Sequence, residues 1–187
     1  MNPSVSKYKV VTITDTMAAG LAGDSPVLSF RWGSEVARAC LRSVKVSMMS
    51  LAAGFTAGSG KFEAIFARAF TASDTGGGAL DFATNPSIGK TLASQPTTLV
   101  TDYRTATTDT LSAGTRTADA QPFGALQFGV TTGTNTVHLA TSTLFEGEKM
   151  LVHDEGFVVQ ATVPATGTWR GIFVVEWDEA ALGHAWM

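Results

Sequence analysis

The chain predicts an all-β fold, an antiparallel β-sandwich of jelly-roll type with short terminal arms. Three observations carry that expectation. Segments alternate apolar and polar residues with period two, as half-buried strands do. The clearest runs from Thr168 to Asp178, where Trp169, Gly171, Phe173, Val175 and Trp177 share one face and Arg170, Ile172, Val174, Glu176 and Asp178 the other. Turn signals rich in Gly, Pro and Asp separate such segments, with little helical pattern between them. Finally, no constant-period repeat and no linker divides the 187 residues, so residues 1–187 form a single domain.

The elements follow in order. Residues 1–26 supply an N-terminal strand, Tyr8 to Asp15, and an irregular arm that carries Gly20, Gly23, Asp24 and Pro26. Val27 to Trp32 is a short strand. Glu35 to Leu41 is compatible with a brief helix or with direct entry into the next strand. From Arg42 to Met49, Val44, Val46 and Met48 alternate with Ser43, Lys45 and Ser47. Leu51 to Gly60 is a loop. Lys61 to Phe70 sets Phe62, Ala64, Phe66, Arg68 and Phe70 on one face. Ala72 to Gly78 is turn-rich, and Asn85 to Pro96 is loop. Thr98 to Ala106 alternates again. Thr107 to Gly147 is the least decided stretch, with weak strands near Leu126 to Val130 and Thr136 to Ala140. Gly156 to Val163 is a strong strand, Pro164 to Gly167 a turn, and Thr168 to Asp178 its expected hairpin partner. Residues 180–187 are a tail, either a short helix or an arm. About eight strands result, and an antiparallel sandwich is their natural solution. The expected core contains Val44, Val46, Phe62, Phe66, Phe157, Val159, Trp169, Phe173 and Val175.

Composition narrows the function classes. Charged residues make up 16% of the chain, against roughly 25% in typical soluble domains. A neutral surface rich in Thr and Gly, or much surface buried on other subunits, follows. A net charge of −3 without a basic cluster speaks against nucleic-acid binding. Cys40 is the sole cysteine, so no intrachain disulfide forms. The first residues lack the apolar stretch of a signal peptide, and no run approaches ~20 apolar residues, so neither secretion nor a membrane is expected. Synthesis in a cytoplasm is the expectation.

Each candidate chemistry has a plainer reading. Asp74-Thr75-Gly76 matches the aspartic-protease tripeptide, but no second copy exists to share a proton. A glycine turn with an Asx-type bond from Asp74 accounts for it. Gly58-Ser59-Gly60-Lys61 lacks the spacing of a phosphate loop, and Phe62 stands where a hydroxyl is needed. His138, His153 and His184 show no metal-site spacing, so no metal or cofactor is expected. His153-Asp154-Glu155 reads as a solvated loop. No Gly-x-Ser-x-Gly elbow supports a hydrolase, and no catalytic residue is assigned. Trp32, Trp169, Trp177, Trp186 and Tyr103 are candidates for a carbohydrate-stacking surface or, at strand alternation, for core.

Phe66-Ala-Arg-Ala-Phe-Thr-Ala-Ser-Asp-Thr-Gly-Gly77 and Leu111-Ser-Ala-Gly-Thr-Arg-Thr-Ala-Asp-Ala-Gln-Pro122, together with Val175-Glu-Trp177, resemble small virion structural proteins of tailed bacteriophages. The resemblance runs from about Phe30 to Asp178. It implies a β-sandwich that binds the capsid exterior as a decoration or cement protein, with the major capsid protein as partner and often as a homotrimer. The alternative it allows is a head or tail fibre protein that binds a host surface glycan. Localisation in the virion follows from the resemblance, and it brings no catalytic residues.

Assembly is expected to use both ends of the chain, through Tyr8, Val10, Trp177, Leu182, Trp186 and Met187. An apolar terminus such as His184-Ala-Trp-Met187 gains from burial in a neighbour, and aromatic anchors dominate interface energies. Folding of the tail back onto its own subunit is the competing reading.

Overall fold

Alternating segments of the chain become two packed antiparallel sheets in the computed structural model, which describes residues 6–23, 25–51, 54–85, 88–131 and 137–181. The strands are β1 (Ser6–Ile13), β2 (Met17–Ala18), β3 (Ser25–Trp32), β4 (Ala37–Ser50), β5 (Gly58–Arg68), β6 (Gly78–Ala79), β7 (Val100–Thr105), β8 (Thr117–Ala118), β9 (Gly124–Val130), β10 (His138–Leu151), β11 (Glu155–Thr162) and β12 (Thr168–Ala181). No described residue is helical, so the segment 35–41 enters β4 directly.

One sheet has the order β1–β12–β4–β10, with β2 also on β12. The other has the order β6–β7–β3–β11–β5–β8, with β9 also on β5. Four pairings tie the first half of the chain to the last in reverse order. They are β1 with β12, β3 with β11, β4 with β10 and β5 with β9.

The inner faces of the sheets make the core, and all nine residues expected there are buried. Phe62 on β5 meets Trp169 and Phe173 on β12 at centroid distances of 5.9 and 6.2 Å. Phe30 on β3 meets Trp177 edge-on at 5.3 Å. These edge-to-face pairs add about 0.5–1.5 kcal/mol each beyond area burial. Gly156 on β11 lets the strands close, because a Cβ there would lie 2.1 Å from the Phe30 carbonyl oxygen.

Two expectations are corrected. β11 and β12 are not a hairpin, since β11 pairs with β3 and β5 whereas β12 pairs with β1 and β4. Residues 163–167 carry the chain from one sheet to the other. They are held by Val163 N–H to Leu21 O at 3.0 Å, Gly20 N–H to Pro164 O at 3.0 Å and Thr56 N–H to Ala165 O at 2.9 Å. The physical reason is burial. On opposite sheets the two strands face the core from both sides, and Trp169, Phe173 and Trp177 of β12 meet Phe62 and Phe30 on the strands that flank β11.

The weak strand expected at 136–140 is the start of β10, 14 residues long. Its pairing with β4 shifts register between Leu139 and Ser142, Thr143 and Phe145, and Glu146 and Lys149. Each bulge adds a residue and breaks the period-two pattern. The alternation that reveals a strand is therefore missing, although Leu144 and Leu151 still point inward.

The fold gives one stability test. Phe173 is fully buried, whereas Ile172, next to it on β12, is 39% exposed on the opposite face. Phe173→Ala is expected to cost about 3–5 kcal/mol and Ile172→Ala under about 1 kcal/mol. Urea unfolding measures both, and equal costs would show that the inward and outward faces have been assigned wrongly.

Candidate functional site

The segments Phe66–Gly77 and Leu111–Pro122 lock onto each other. Thr75 and Ser112 exchange backbone hydrogen bonds of 2.9 and 3.0 Å, and Thr115 N–H donates to Ala72 O at 3.1 Å. Gly114 allows this approach, since a Cβ there would lie 2.1 Å from the Ala72 carbonyl oxygen. At the centre Asp74 is fully buried. Its Oδ1 accepts the Gly114 N–H at 2.8 Å and the Arg116 guanidinium. Among the described residues, Oδ2 has no hydrogen-bond partner. Arg116 packs 5.3 Å from the centre of the Phe70 ring, and burial pulls its pKa below the ordinary value. Asp74 thus makes no Asx-type turn bond. It reaches across the chain to an arginine, an ion pair instead of the shared proton of a protease dyad.

Neighbouring polar groups extend this anchor. Arg31 donates from Nε to Phe70 O at 2.6 Å and from Nη1 to Ser73 Oγ at 3.3 Å, and its Nη2 lies 3.6 Å from Asp154 Oδ1. Phe70 N–H donates to Asp154 O at 2.8 Å, and Asp154 takes a left-handed backbone with φ of 57°. His153 sits beside it, with Nδ1 2.8 Å from Gly33 O and Nε2 3.3 Å from Asp154 Oδ2. Glu155 accepts the Val152 N–H at 2.9 Å and closes this turn. Among the described residues, no group of three His, Cys, Asp or Glu side chains could hold a metal ion. His138 stands exposed on β10, and His184 lies outside the described residues. Gly58 to Lys61 is the start of β5, with Lys61 Nζ 2.7 Å from Glu63.

Four of the five aromatic candidates are core, and Trp186 lies outside the described residues. Trp32, Trp169, Trp177 and Tyr103 are at most 1% exposed. Each indole N–H is used internally: Trp32 donates to Ala37 O, Trp169 to Ala18 O and Trp177 to Glu179 Oε1. Tyr8, Val10 and Trp177, expected at an interface, are buried in the chain's own sandwich at 1–2% exposure. Tyr8 stacks on Trp177 at 5.4 Å, and the two face each other in the β1–β12 register. Their side chains have almost no surface left for a neighbour. Alternation marks an inward face, and without a pairing partner it does not say whose interior that face joins. Leu182, Trp186 and Met187 lie outside the described residues.

Beside this stack, Glu179 is buried at 6% exposure. It accepts hydrogen bonds from the Thr98 hydroxyl, the Leu99 N–H at 3.1 Å and the Trp177 indole at 2.9 Å, all neutral donors. Burial pushes its pKa up. Burial likewise raises the Tyr8 phenol to about 12, with the charge of Glu179 adding to it.

The outer faces carry exposed apolar side chains and shallow recesses. Val11, Ile13 and Met49 on the β1 sheet are 60%, 57% and 47% exposed. A recess of about 280 Å³ there is lined by Ile13, Met49, Leu51, Leu139, Arg170 and Ile172. On the other sheet a more polar recess of about 470 Å³ is lined by Lys61, Glu63, Asp119, Gln121 and Gln160. The exposed apolar residues were missed from sequence, because Val10-Val11-Thr12-Ile13 is apolar on both faces and does not announce which one is solvent. Comparison of the chain with protein-family models, curated proteins and solved structures gave no match.

Two outcomes check this reading. Asp74→Ala strands a buried guanidinium and is expected to cost about 3–5 kcal/mol. Asp74→Ala with Arg116→Met should recover much of that loss, and a double variant no more stable than Asp74→Ala would show that the two charges are not coupled. For Glu179 the folded chain holds the carboxyl proton more tightly than the unfolded chain does. Its contribution to stability is therefore complete below the ordinary carboxylate range and is lost as pH rises through the raised folded value. Glu179→Gln removes that dependence, so the urea stability of the variant relative to wild type should improve between about pH 4 and about pH 8. A difference that does not change with pH would place the carboxyl at its ordinary value.

Proposed function

We propose that the chain is a non-enzymatic structural component of a tailed-phage virion that binds the capsid exterior as a decoration or cement protein, with the major capsid protein as its partner. The observation that carries this reading is the strand order. The long strands β1, β3, β4 and β5 pair in reverse with β12, β11, β10 and β9, and successive members fall on alternate sheets except at the β5–β9 fold. That order supports a jelly roll, one long antiparallel ribbon rolled into two sheets, an architecture found among viral capsid and lectin domains. The resemblance at Phe66 to Gly77 and Leu111 to Pro122 points the same way. Those strings brace each other around the Asp74–Arg116 pair, which suits a structural role. The low charged fraction of 16% suits a surface that spends its life against other proteins.

A fibre protein that binds a host glycan is the alternative. Glycan binding draws on exposed aromatics, and Trp32, Trp169, Trp177 and Tyr103 are buried. That reading is left with the polar recess at Glu63 and Gln160. Homo-oligomeric assembly belongs to the proposal, and the trimer within it rests on the resemblance.

Gold-labelled antibody on intact particles tests the assignment. Even decoration of the shell is expected. Signal confined to one vertex would move the protein to the tail or a fibre, and its absence from particles would end the virion reading.

A further inference from the structure

Residues 88–99 run from the β1 edge to the start of β7 and close over the Tyr8–Trp177 stack. Gly89 is buried there, and a Cβ on it would lie 3.2 Å from Val10 Cγ2 and 3.5 Å from Trp177 Cη2. Beyond Gly89 the segment buries little. Residues 91–94, 96, 97 and 99 are exposed, Leu92 at 63% and Leu99 at 44%. Three polar ties hold this stretch in place of apolar burial. Thr91 donates from its N–H and its hydroxyl to Lys7 O at 3.2 and 3.0 Å. The Tyr8 hydroxyl donates to Pro96 O at 2.5 Å. The Thr98 hydroxyl and the Leu99 N–H donate to the Glu179 carboxylate. A segment with few apolar contacts opens locally at less cost than the whole fold.

The last tie has a property the others lack. Glu179 joins the segment to the stack, because its Oε1 also accepts the Trp177 indole N–H at 2.9 Å. All of these donors are neutral, and among the described residues no ion pair reaches the carboxylate. Its register neighbours are Ser6 on β1 and Ala39 on β4. The titratable group that faces it from β1 is the Tyr8 phenol, which its pKa of about 12 keeps neutral. Charges nearby on β12 and β4 are engaged elsewhere, Asp178 with Arg42 and Arg42 also with Glu148. Arg38, beside Ala39, is exposed, and Lys90 of the segment lies opposite Tyr8. A recess of about 280 Å³ lined by Ser6, Val36, Pro96, Thr97, Leu99 and Glu179 adjoins the carboxylate. A small outward movement of residues 96–99 therefore brings water to it.

We propose that residues 91–99 are a pH-operated strap latched by Glu179, closed over the Tyr8–Trp177 stack when the carboxyl is protonated and opening as it ionises. In the closed strap a carboxylate is dry and faces no cation, whereas in the open strap water solvates it. The protonated acid keeps its place, since it still accepts the indole and Leu99 N–H groups and can donate to Thr98 Oγ1, an oxygen that both gives and takes hydrogen bonds. The direction follows from burial, which raises the pKa of Glu179 in the closed state. Closure is complete below the ordinary carboxylate range and weakens as pH rises through the raised value. Opening uncovers the phenol and the indole and frees the backbone of Lys7. The strap is a property of the chain alone and is independent of the particle assignment, which the labelling experiment decides separately.

Hydrogen–deuterium exchange of peptides covering 91–99, read by mass spectrometry and divided by the intrinsic rate at each pH, is the test. Protection of 91–99 is expected to lie below that of 169–175 and to fall several-fold as pH rises from about 4 to about 8. It should also respond little to urea below the unfolding transition, because local opening exposes little surface. Constant protection across the pH range overturns the proposal. Protection that falls with urea as steeply as that of 169–175 overturns it too, since exchange would then need global unfolding. Glu179→Gln keeps an acceptor that cannot ionise and should make the protection of 91–99 independent of pH. A fall that persists in the folded variant would assign the titration to another group and overturn the latch.

Discussion

The contact of β12 with the opposite sheet is the interaction on which the rest depends. Trp169 and Phe173 on this strand reach Phe62, and Trp177 reaches Phe30. Three aromatic side chains from one strand thus fasten the sheets along most of its length. β12 also sits between β1 and β4 and bonds to both. The same residues therefore give lateral cohesion within a sheet and cohesion across the sandwich. Moving β12 beside β11 would sacrifice both, which is why the short connection at 163–167 crosses the sandwich and does not turn back.

Much of this was legible in the sequence, and the boundary of legibility has a physical cause. Period-two alternation is local, so it identified β4, β5, β11 and β12 and every one of the nine core residues. Pairing is not local. Nothing in Gly156 to Asp178 states that two adjacent strong strands belong to different sheets. β10 was hidden because its three bulges erase the pattern that defines a strand. At Tyr8, Val10 and Trp177 the inward face was visible, but whether it closes on its own chain or on a neighbour depends on β1 pairing with β12, more than 160 residues later. Asp74 shows the same limit for a polar group. Its turn was readable, whereas its partner Arg116 lies 42 positions away.

The charged residues show how a chain with few of them uses them. Asp74, Arg116 and Asp154 sit in the loops that join the strands, and Arg31 reaches toward them from the end of β3. Glu179 does similar work with neutral donors and fixes residues 98–99 against the end of β12. Buried pairs of this kind add little net stability over an apolar replacement, yet they penalise every arrangement that leaves one member alone. In this fold they decide which loop conformation is tolerated, while the aromatic core supplies the driving force.

The reverse pairing of the two halves of the chain has a consequence for biosynthesis. β1 and β4 bond to β12, which is made after every other described strand, and β3 waits for β11. While the ribosome is still at work, the early strands hold apolar faces without their partners. Closure of the β1 sheet must then await β12 and that of the other sheet β11, over long loops whose entropy is lost before the contacts form. Such a chain folds late and as a whole, and until its partners are made each early strand is an unpaired edge open to association.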